Sequence, residues 1–310
     1  MCGILACSLN QNSNFSVDNF QKNLLSTNFR GPDYSNSSEL SFNENKLFIG
    51  HNRLSILDVS KTGNQPMASK SGRFIISFNG EIYNHNELRR SYLSDHIFNG
   101  TSDTETLIQL IESIGLDRAL EVIYGMFAFV VFDTKTSKIS IARDIPGEKP
   151  LYIMTTNESI SFSSDITNFH GLPGFKKDIN HDAVKFLLSY TYIPSPISIF
   201  KGIFKLPASK AITIDLKKYR YNRFETYQDF ISSAGVNEYE YFSILDLHSH
   251  QSKIQNFETN LDKLEDTLSS AVKRQLISDV PLGAFLSGGI DSSLIVALAM
   301  KHKANIKTFN

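Results

Sequence analysis

The chain has 310 residues, which at ~150 residues per domain predicts two domains. Apolar residues make up 41% and charged residues 20%, a composition that excludes disordered and fibrous proteins. Lys and Arg number 31 against 32 Asp and Glu, which gives a formal charge of −1. The sequence therefore has no basic field for binding nucleic acid or an anionic membrane surface.

Signals for a membrane or for secretion are also missing from the sequence. The longest apolar run, Met126–Phe132, is far shorter than the ~20 residues of a transmembrane helix. The first ten residues, MCGILACSLN, lack the basic and the long apolar segments of a secretory signal. Cys2 and Cys7 are too few for a disulfide framework and favour a reducing compartment. These features predict a soluble, cytoplasmic globular protein.

The first two thirds of the chain are predicted to be rich in β-structure. Apolar and alternating runs predict strands over Gly3–Leu9, Leu47–Leu57, Arg73–Phe78, Met126–Asp133, Lys138–Arg143, Leu151–Met154 and Ser159–Ser163. Helical periodicity predicts helices over His85–Leu93 and Asp103–Ile114. Ser102 and Glu105 form a capping-box pattern at the start of the second helix. Together these elements predict one α+β domain over residues 2–215.

The remaining third is predicted to be a linker followed by the start of a second domain. Residues 216–257 are rich in Tyr, Asn, Glu and Ser, and their aromatic content indicates a linker that packs across a domain junction. Next come a helix, a strand, a Gly-rich loop, a second helix and a strand, over Phe257–Ile277, Val280–Leu286, Ser287–Ser293, Leu294–Lys301 and Ile306–Phe309. This order predicts the opening of a parallel α/β domain over residues 258–310. With few elements to cover them, Leu294, Ile295 and Leu298 are expected to be partly exposed.

Cys2 is the most informative single residue. Removal of Met1 is expected before a small residue, and it would leave a cysteine with a free α-amino group. Such an amine titrates at ~7.7–8.0 and can serve as the general base for the thiol of its own residue. The alternative is a small residue that merely begins a strand, and the scarcity of cysteine favours the nucleophile. Cys7 is interpreted as a small core residue.

Three more segments contain residues that could contact a substrate. Asn79 and Gly80 could form an oxyanion hole from an amide and the next backbone N–H, or they could be an ordinary Asn-Gly turn. Arg53, in an apolar strand, could bind the α-carboxylate of an amino acid, although an internal salt bridge is the commoner role. Asp103, at a helix start, could bind a substrate ammonium, although it could simply complement the helix dipole.

The segment Leu286–Ser293, with the sequence LSGGIDSS, is a candidate anion site. It follows a predicted buried strand and opens a helix, so its backbone N–H groups could converge on a pyrophosphate. It lacks the lysine of a Walker A loop, which argues against an ATPase that transfers the γ-phosphate. A plain Gly-rich turn is the alternative.

Several motifs gain meaning from their order. They are MCGI at 1–4, RGPD at 30–33, HNRLSILD at 51–58, FNGEIYNH at 78–85, GTSDTE at 100–105, GMFAF at 125–129, ARD at 142–144 and GEKPLY at 147–152. Together they resemble the class II glutamine amidotransferase domain of glutamine-hydrolysing asparagine synthetases, over essentially the whole chain. The resemblance implies an α+β N-terminal-nucleophile fold, a four-layer αββα sandwich. The start of an α/β parallel-sheet domain of ATP-pyrophosphatase type is implied to follow it.

The resemblance also assigns site residues. It implies that Cys2 is the nucleophile, that Asn79 and Gly80 form the oxyanion hole, and that Arg30 belongs to a loop over the site. Glutamine is then held by Arg53, Leu54, Ser55, Ile56, Leu57, Asn79, Gly80, Glu81 and Asp103. ATP is held by Leu286, Ser287, Gly288, Gly289, Asp291 and Ser292. ATP and Mg²⁺ are the implied co-substrates, with no metal-ligand residues assigned and no organic prosthetic group.

The implied activity is glutamine-dependent asparagine synthesis by a carbon–nitrogen ligase. Ammonia from glutamine would pass to an aspartate that ATP has activated, so the expected partners are glutamine, aspartate and ATP, and the resemblance allows a homodimer. The family's synthetase domain continues beyond the end of this sequence, so the chain alone is expected to act as a glutaminase. Two alternatives stay open. One is an amidotransferase for a sugar or another carboxylate in surface-polysaccharide synthesis, and the other is a non-catalytic remnant.

Overall fold

A computed structural model describes residues 1–10, 12–245 and 256–310. Two compact units are present, one made of residues 1–55 and 60–242 and the other of residues 56–59 and 243–310. The first unit contains the strands β1 (Gly3–Asn10), β2 (Tyr34–Phe42), β3 (Asn45–Arg53), β4 (Met67–Ala68), β5 (Phe74–Ile82), β6 (Gly125–Asp133), β7 (Lys138–Arg143), β8 (Tyr152–Thr155), β9 (Ser159–Ser163), β10 (Ile203–Lys205), β11 (Lys210–Asp215) and β12 (Val236–Glu240). Its helices are α1 (Val17–Leu25), α2 (His85–Tyr92), α3 (Asp103–Ile114), α4 (Leu116–Val122), α5 (His181–Tyr190) and α6 (Tyr227–Ile231).

The strands of the first unit form two antiparallel six-stranded sheets. One sheet has the order β10-β8-β9-β1-β3-β2 and the other the order β12-β11-β7-β6-β5-β4. Apolar side chains on the facing surfaces of the two sheets, such as Ile4, Ile49, Val130 and Ile141, form one buried core. Because side chains alternate along a strand, each sheet also has a second apolar face.

Helices cover those outer faces. Leu5, Cys7 and Phe48 of the first sheet pack with Phe20 and Leu24 of α1. The outer face of the second sheet packs against α2, α3 and α4 through residues that include Phe78, Phe129, Leu88, Leu107 and Leu120. The result is the predicted four-layer αββα sandwich, and Cys7 is a buried core residue as interpreted from the sequence.

Two predicted strand ends differ from the structure by four residues each. β3 ends at Arg53 rather than Leu57, because after Arg53 the backbone turns away from β2 and the Ser55 N–H donates to Asp33 Oδ2 at 2.7 Å. β5 continues to Ile82 rather than ending at Phe78, because its pairing with β6 extends to Gly125. Asn79 and Gly80 therefore lie inside a strand, and the alternative of an Asn-Gly turn is wrong.

The capping box predicted for α3 is only half correct. Ser102 caps the helix, and its Oγ accepts from the N–H of Thr104 at 3.1 Å. Glu105 does not reach back to Ser102. Its carboxylate instead accepts from the N–H groups of Asn99 and Gly100, at 2.9 and 3.0 Å, and so fixes the loop before the helix.

The predicted linker over 216–257 overlaps the first unit. Residues up to Phe242 belong to that unit, and β12 pairs with β11 over five residues, from Lys210↔Glu240 to Ile214↔Val236. Phe230 is fully buried in the core between the two sheets, which also contains Tyr219. Tyr221, Phe224 and Tyr227 are partly buried and pack against the same core. Positions 246–255 of the predicted linker lie outside the described residues.

The second unit contains α7 (Phe257–Arg274), β13 (Gly283–Phe285), α8 (Ile290–His302) and β14 (Lys307–Phe309). β13 and β14 pair in parallel, as the predicted α/β opening requires. Leu294 and Ile295 are 45% and 43% exposed, as expected, but Leu298 is buried because it packs with Val272 and Ala299. In the described parts of the chain no helix has both the length and the apolar composition needed to cross a bilayer.

Candidate active site

The thiol of Cys2 lies at the end of the central strand pair β1–β3. Gly3 is paired with Asn52, so Cys2 lies beside the residues that follow Asn52 in β3. The Leu54 N–H donates to Cys2 Sγ at 3.4 Å, and the thiol in turn lies 3.7 Å from Leu54 O. Arg30 Nε donates to the carbonyl oxygen of Cys2 at 3.2 Å. The backbone and the side chain of Cys2 are therefore both held in place.

Burial raises the pKa of the Cys2 thiol, and the hydrogen bond from Leu54 opposes that rise. Burial also lowers the pKa of the Met1 amino group. A buried thiol stays protonated at neutral pH unless a base beside it takes the proton. Both shifts favour the neutral form of the group concerned, the Met1 amine and the Cys2 thiol.

Arg53, the last residue of β3, points its guanidinium into the unit. Only 4% of its surface is exposed, and its Nη1 donates to Ser60 O at 2.7 Å and to Asn64 Oδ1 at 2.8 Å. Its positive charge lowers the pKa of the Cys2 thiol and so lies within electrostatic range of it. These two acceptor oxygens fix the direction of the guanidinium.

The open edge of β5 carries a row of three backbone N–H groups. In an antiparallel pair, alternate residues direct their N–H groups to the same side. Phe78, Gly80 and Ile82 are such alternate residues, and β4 pairs with β5 only as far as Ile76. The N–H of Phe78 donates to Gln65 Oε1 at 2.6 Å, and that of Ile82 donates to Asp103 Oδ2 at 2.9 Å. The N–H of Gly80 lies between these two anchored positions and faces the same edge.

Asn79 adds a side-chain donor to this edge. Its side chain is 1% exposed, and its Nδ2 has no hydrogen-bond partner within the described residues. A buried amide without a partner costs free energy, so this donor is a strong candidate for a ligand contact. Gly80 admits no side chain, because a Cβ there would lie 2.0 Å from Met126 O.

Asp103 and Glu81 place two carboxyl groups near the same edge. Burial raises the pKa of Asp103 to about 7, the charge of Glu81 adds to the rise, and the N–H of Ile82 opposes it. Burial likewise raises the pKa of Glu81, and the charge of Lys149 opposes that rise. Asp103 is thus poised to ionise fully when a cation binds next to it.

Lys149 and Asp144 also belong to this region. They lie in the motifs GEKPLY and ARD, and the sequence assigns them no role. The charge of Lys149 acts on both the Met1 amine and Glu81. The loop that carries it is organised by the fully buried Asp144, whose carboxylate accepts from the N–H groups of Phe127, Glu148 and Lys149 at 3.0, 2.7 and 3.0 Å. An aspartate before a Gly-containing turn is the local signal that could have indicated this anchor.

In the first unit, Cys2 contacts Leu54 and lies within electrostatic range of Arg53 and Asp103. Asn79, Gly80 and Glu81 lie in β5, which Asp103 contacts through the Ile82 N–H. Ser55 also lies in this unit, with its N–H bonded to Asp33. Ile56 and Leu57 belong to the second unit, and their part in binding glutamine stays a prediction. No group of three or more His, Cys, Asp and Glu side chains suited to a metal ion occurs in the described portion of the chain.

In the second unit, the predicted anion loop connects β13 to α8. Leu286 is tied to β14 through its N–H, which donates to Phe309 O at 2.7 Å. Gly288 has φ +79°, a conformation that favours glycine, and Gly289 caps α8, which begins at Ile290 rather than at Leu294. Ser287 and Ser292 join their hydroxyls at 3.0 Å across the loop. The loop thus has the predicted place at a helix N-terminus.

Comparison with known proteins identifies the first unit. The family model described as "Glutamine amidotransferase domain" matches residues 1–227. The chain belongs to the glutamine amidotransferase family. A second model, "Asparagine synthase", matches residues 263–310. The amidotransferase match ends at residue 227, twelve residues past the domain end predicted at 215.

Relatives in other organisms point the same way. The chain is 34% identical over 285 residues to a putative glutamine-hydrolysing asparagine synthetase 2 of Methanocaldococcus jannaschii, covering 87% of this chain and 51% of that protein. It is 31% identical over 290 residues to the glutamine-hydrolysing asparagine synthetase 3 of Bacillus subtilis, covering 91% of this chain and 43% of that one. The chain therefore spans about half the length of these two relatives.

A solved structure of glutamine phosphoribosylpyrophosphate amidotransferase from B. subtilis shares the fold. The TM-score is 0.52 at 15% identity, covering 99% of this chain and 65% of that one. At this identity the likeness supports the fold alone. It agrees with the N-terminal-nucleophile sandwich expected from the sequence.

Proposed function

We propose that this protein hydrolyses glutamine through Cys2 and delivers the ammonia to asparagine synthesis. The observation that carries the proposal is the edge of β5, where the Asn79 carboxamide lacks a partner and the Gly80 N–H lies between two anchored neighbours. Two donors on adjacent residues, one of them without a partner among the described residues, suit the oxyanion of an acyl-transfer reaction. The curated relatives, named as glutamine-hydrolysing asparagine synthetases, support the choice of glutamine.

The charges around the thiol fit the two charged groups on the α-carbon of glutamine. Arg53 carries a fixed positive charge for the α-carboxylate, and Asp103 a carboxylate for the α-ammonium. Glu81 follows the two oxyanion donors in β5 and adds negative charge on the same side. In this proposal the glutamine carboxamide lies between Cys2 and Asn79.

After removal of Met1, the α-amine of Cys2 takes the thiol proton and Sγ attacks the carboxamide carbon. The oxyanion accepts hydrogen bonds from Asn79 Nδ2 and from the Gly80 N–H. The protonated amine then gives its proton to the leaving nitrogen, so that ammonia departs and a glutamyl thioester remains. Water hydrolyses the thioester to glutamate and restores the thiol.

The second unit is proposed to take part in ATP binding. Its loop over Leu286, Ser287, Gly288, Gly289, Asp291 and Ser292 lies at the start of α8, where backbone N–H groups and the helix dipole favour a pyrophosphate group. This region matches the asparagine synthase family model, which supports ATP as the co-substrate. Mg²⁺, aspartate as the acceptor of ammonia, and a homodimer belong to the same proposal for the whole protein.

The test of the glutaminase compares two cysteines. Glutamate and ammonia released from glutamine are measured for the unaltered chain, for Cys2→Ala and for Cys7→Ala. Cys2→Ala should abolish release and keep the fold, because the replacement removes one sulfur atom at a partly buried site. Cys7→Ala, in the core of the same strand, should retain turnover. Mass spectrometry reports whether Met1 has been removed, and near-normal release by Cys2→Ala would overturn the mechanism.

A further inference from the structure

The backbone of Phe78, the residue directly before Asn79, is held by two side chains from outside its own strand. Its N–H donates to Gln65 Oε1 at 2.6 Å, and its carbonyl oxygen accepts from His51 Nε2 at 2.9 Å. β4 reaches only Ile76 on this edge, so no neighbouring strand serves these two groups. Buried backbone groups need partners, and here side chains supply both.

His51 is suited to hold a carbonyl oxygen permanently. It is fully buried in β3, in the sheet that faces β5, and burial lowers its pKa to about 3. The ring is therefore neutral at physiological pH, and because a carbonyl oxygen only accepts, the ring proton resides on Nε2. Its Nδ1 has no hydrogen-bond partner among the residues that the structure describes. His51 thus makes one directed bond, and that bond joins the two sheets at the residue before Asn79.

Gln65 connects the Phe78 N–H to helix α3. Its side chain is buried, and while Oε1 takes the Phe78 N–H, Nε2 donates to Thr104 Oγ1 at 3.2 Å. Thr104 follows Asp103, which itself accepts from the Ile82 N–H. β5 is therefore joined to the first turn of α3 at two points, one on each side of Asn79 and Gly80.

We propose that His51 and Gln65 are positioning residues of the glutaminase, which fix the two oxyanion donors relative to Asp103. This inference rests on the proposed function. The carboxamide oxygen and the α-ammonium lie at opposite ends of glutamine, so the spacing between their contacts decides whether the reacting carbon meets Cys2. Misplacement of a reacting group by about 1 Å can cost about 10²-fold in rate.

The single variants separate positioning from general support of the fold. His51→Leu and Gln65→Met remove the contacts at similar volume, and each should lower kcat for glutamine by about 10- to 100-fold. His51→Gln keeps an N–H donor near the place of Nε2 and should recover most of the loss. Ser77→Ala is the matched control. Ser77 Oγ donates to Gly50 O at 3.2 Å, and this second buried hydrogen bond between β5 and β3 does not involve the backbone of Phe78. The substitution should leave kcat unchanged.

A double-mutant cycle with Asn79→Ala decides whether His51 acts through Asn79. If it does, His51→Leu should lower kcat strongly in the parent and by no more than about threefold when Asn79 is already alanine. Equal losses in both backgrounds would overturn the proposal, as would full kcat in His51→Leu and Gln65→Met. If His51→Leu fails to fold, the same cycle with Gln65→Met gives the decision.

The alkylation rate of Cys2 by iodoacetamide helps to distinguish a failure of the positioning role from a failure of the proposed function. Under the positioning proposal this rate stays at the parent value in every variant, because the thiol and its contact with Leu54 are untouched. A parent protein without Cys2-dependent glutaminase would instead refute the proposed function. An active, Cys2-dependent parent whose turnover is insensitive to His51 and Gln65 refutes the positioning role alone.

Discussion

The carboxyl group of Asp103 combines an unfavourable location with a proposed role in binding. Its pKa of about 7, raised by burial, means that the free protein carries it largely protonated below neutral pH. The α-ammonium of glutamine needs the ionised form. We therefore expect kcat/KM for glutamine to rise with pH through about 7 and to level off above it.

Asp103→Asn should expose the cost of this arrangement. In the unfolded chain an aspartate titrates near ~3.9, so the raised folded pKa contributes stability that is present below pH ~4 and is lost as the pH rises through 7. An asparagine does not titrate. The variant should therefore gain in Tm relative to the parent between pH 5 and pH 8, by about 2–4 °C per kcal/mol. It should lose about 10- to 100-fold in kcat/KM, because a charge-assisted hydrogen bond is lost.

Thermal unfolding followed across this pH range checks the expectation, and Asp18→Asn, at an exposed position of α1, serves as the control. A difference in Tm between Asp103→Asn and the parent that does not change with pH would show that the carboxyl group titrates normally. The pH dependence of kcat/KM would then need another group.

At the scale of single elements, local patterns in the sequence identify strands but not every boundary. The apolar run of β6 and the alternation of β7 predict these strands within one residue at each end. The local sequence around Asn79 and Gly80 is compatible with both a turn and a strand. Only the pairing of β5 with β6, whose residues lie about fifty positions later in the chain, places it inside a strand.

The same limit applies to the residues that support the site. Cys2, Arg53, Asn79 and Asp103 are candidates from their residue types, and the ordered motifs of the resemblance imply their roles. Gln65 is a polar residue in a loop, and nothing near it in the sequence indicates that its amide bridges Phe78 and Thr104. Such contacts depend on three segments meeting in space, so a single sequence does not reveal them.

Gly80→Ala tests how closely β5 and β6 approach at the site. The added Cβ would lie 2.0 Å from Met126 O and 2.7 Å from Phe127 Cα, both backbone atoms that cannot move aside independently. We expect a loss of about 2–4 kcal/mol in the free energy of unfolding together with loss of glutaminase activity. Urea unfolding and a glutamate assay measure the two effects.

Gly72→Ala is the matched control for this substitution. Gly72 has φ +76°, but no atom lies within 4 Å of the position of its Cβ, so the alanine meets only backbone strain. It should cost about 1 kcal/mol and leave turnover intact. If both alanines cost the same, the close approach of the strands at Gly80 is not what requires glycine.

At the scale of the whole molecule, the first compact unit continues to residue 242, whereas the predicted first domain ends at 215. Residues 216–242 lack a regular apolar period, and their composition is rich in Tyr and Asn. Burial of Phe230 and Tyr219 comes from contacts with distant strands rather than from local periodicity. Composition therefore does not reveal a domain boundary that long-range packing sets.

Two shortened chains test the boundary. A chain ending at residue 242 retains β12, Phe230 and the hydroxyl of Tyr241, which donates to Arg143 O at 2.5 Å, so it should fold and hydrolyse glutamine like the full chain. A chain ending at residue 215 loses all of these. Removal of one buried aromatic side chain costs about 3–5 kcal/mol, and a domain is stable by only about 5–15 kcal/mol. The shorter chain should therefore lack cooperative thermal unfolding and glutaminase activity. Near-ultraviolet circular dichroism and glutamate release measure both properties. Normal melting and turnover of the chain ending at 215 would show that residues 216–242 only connect the two units.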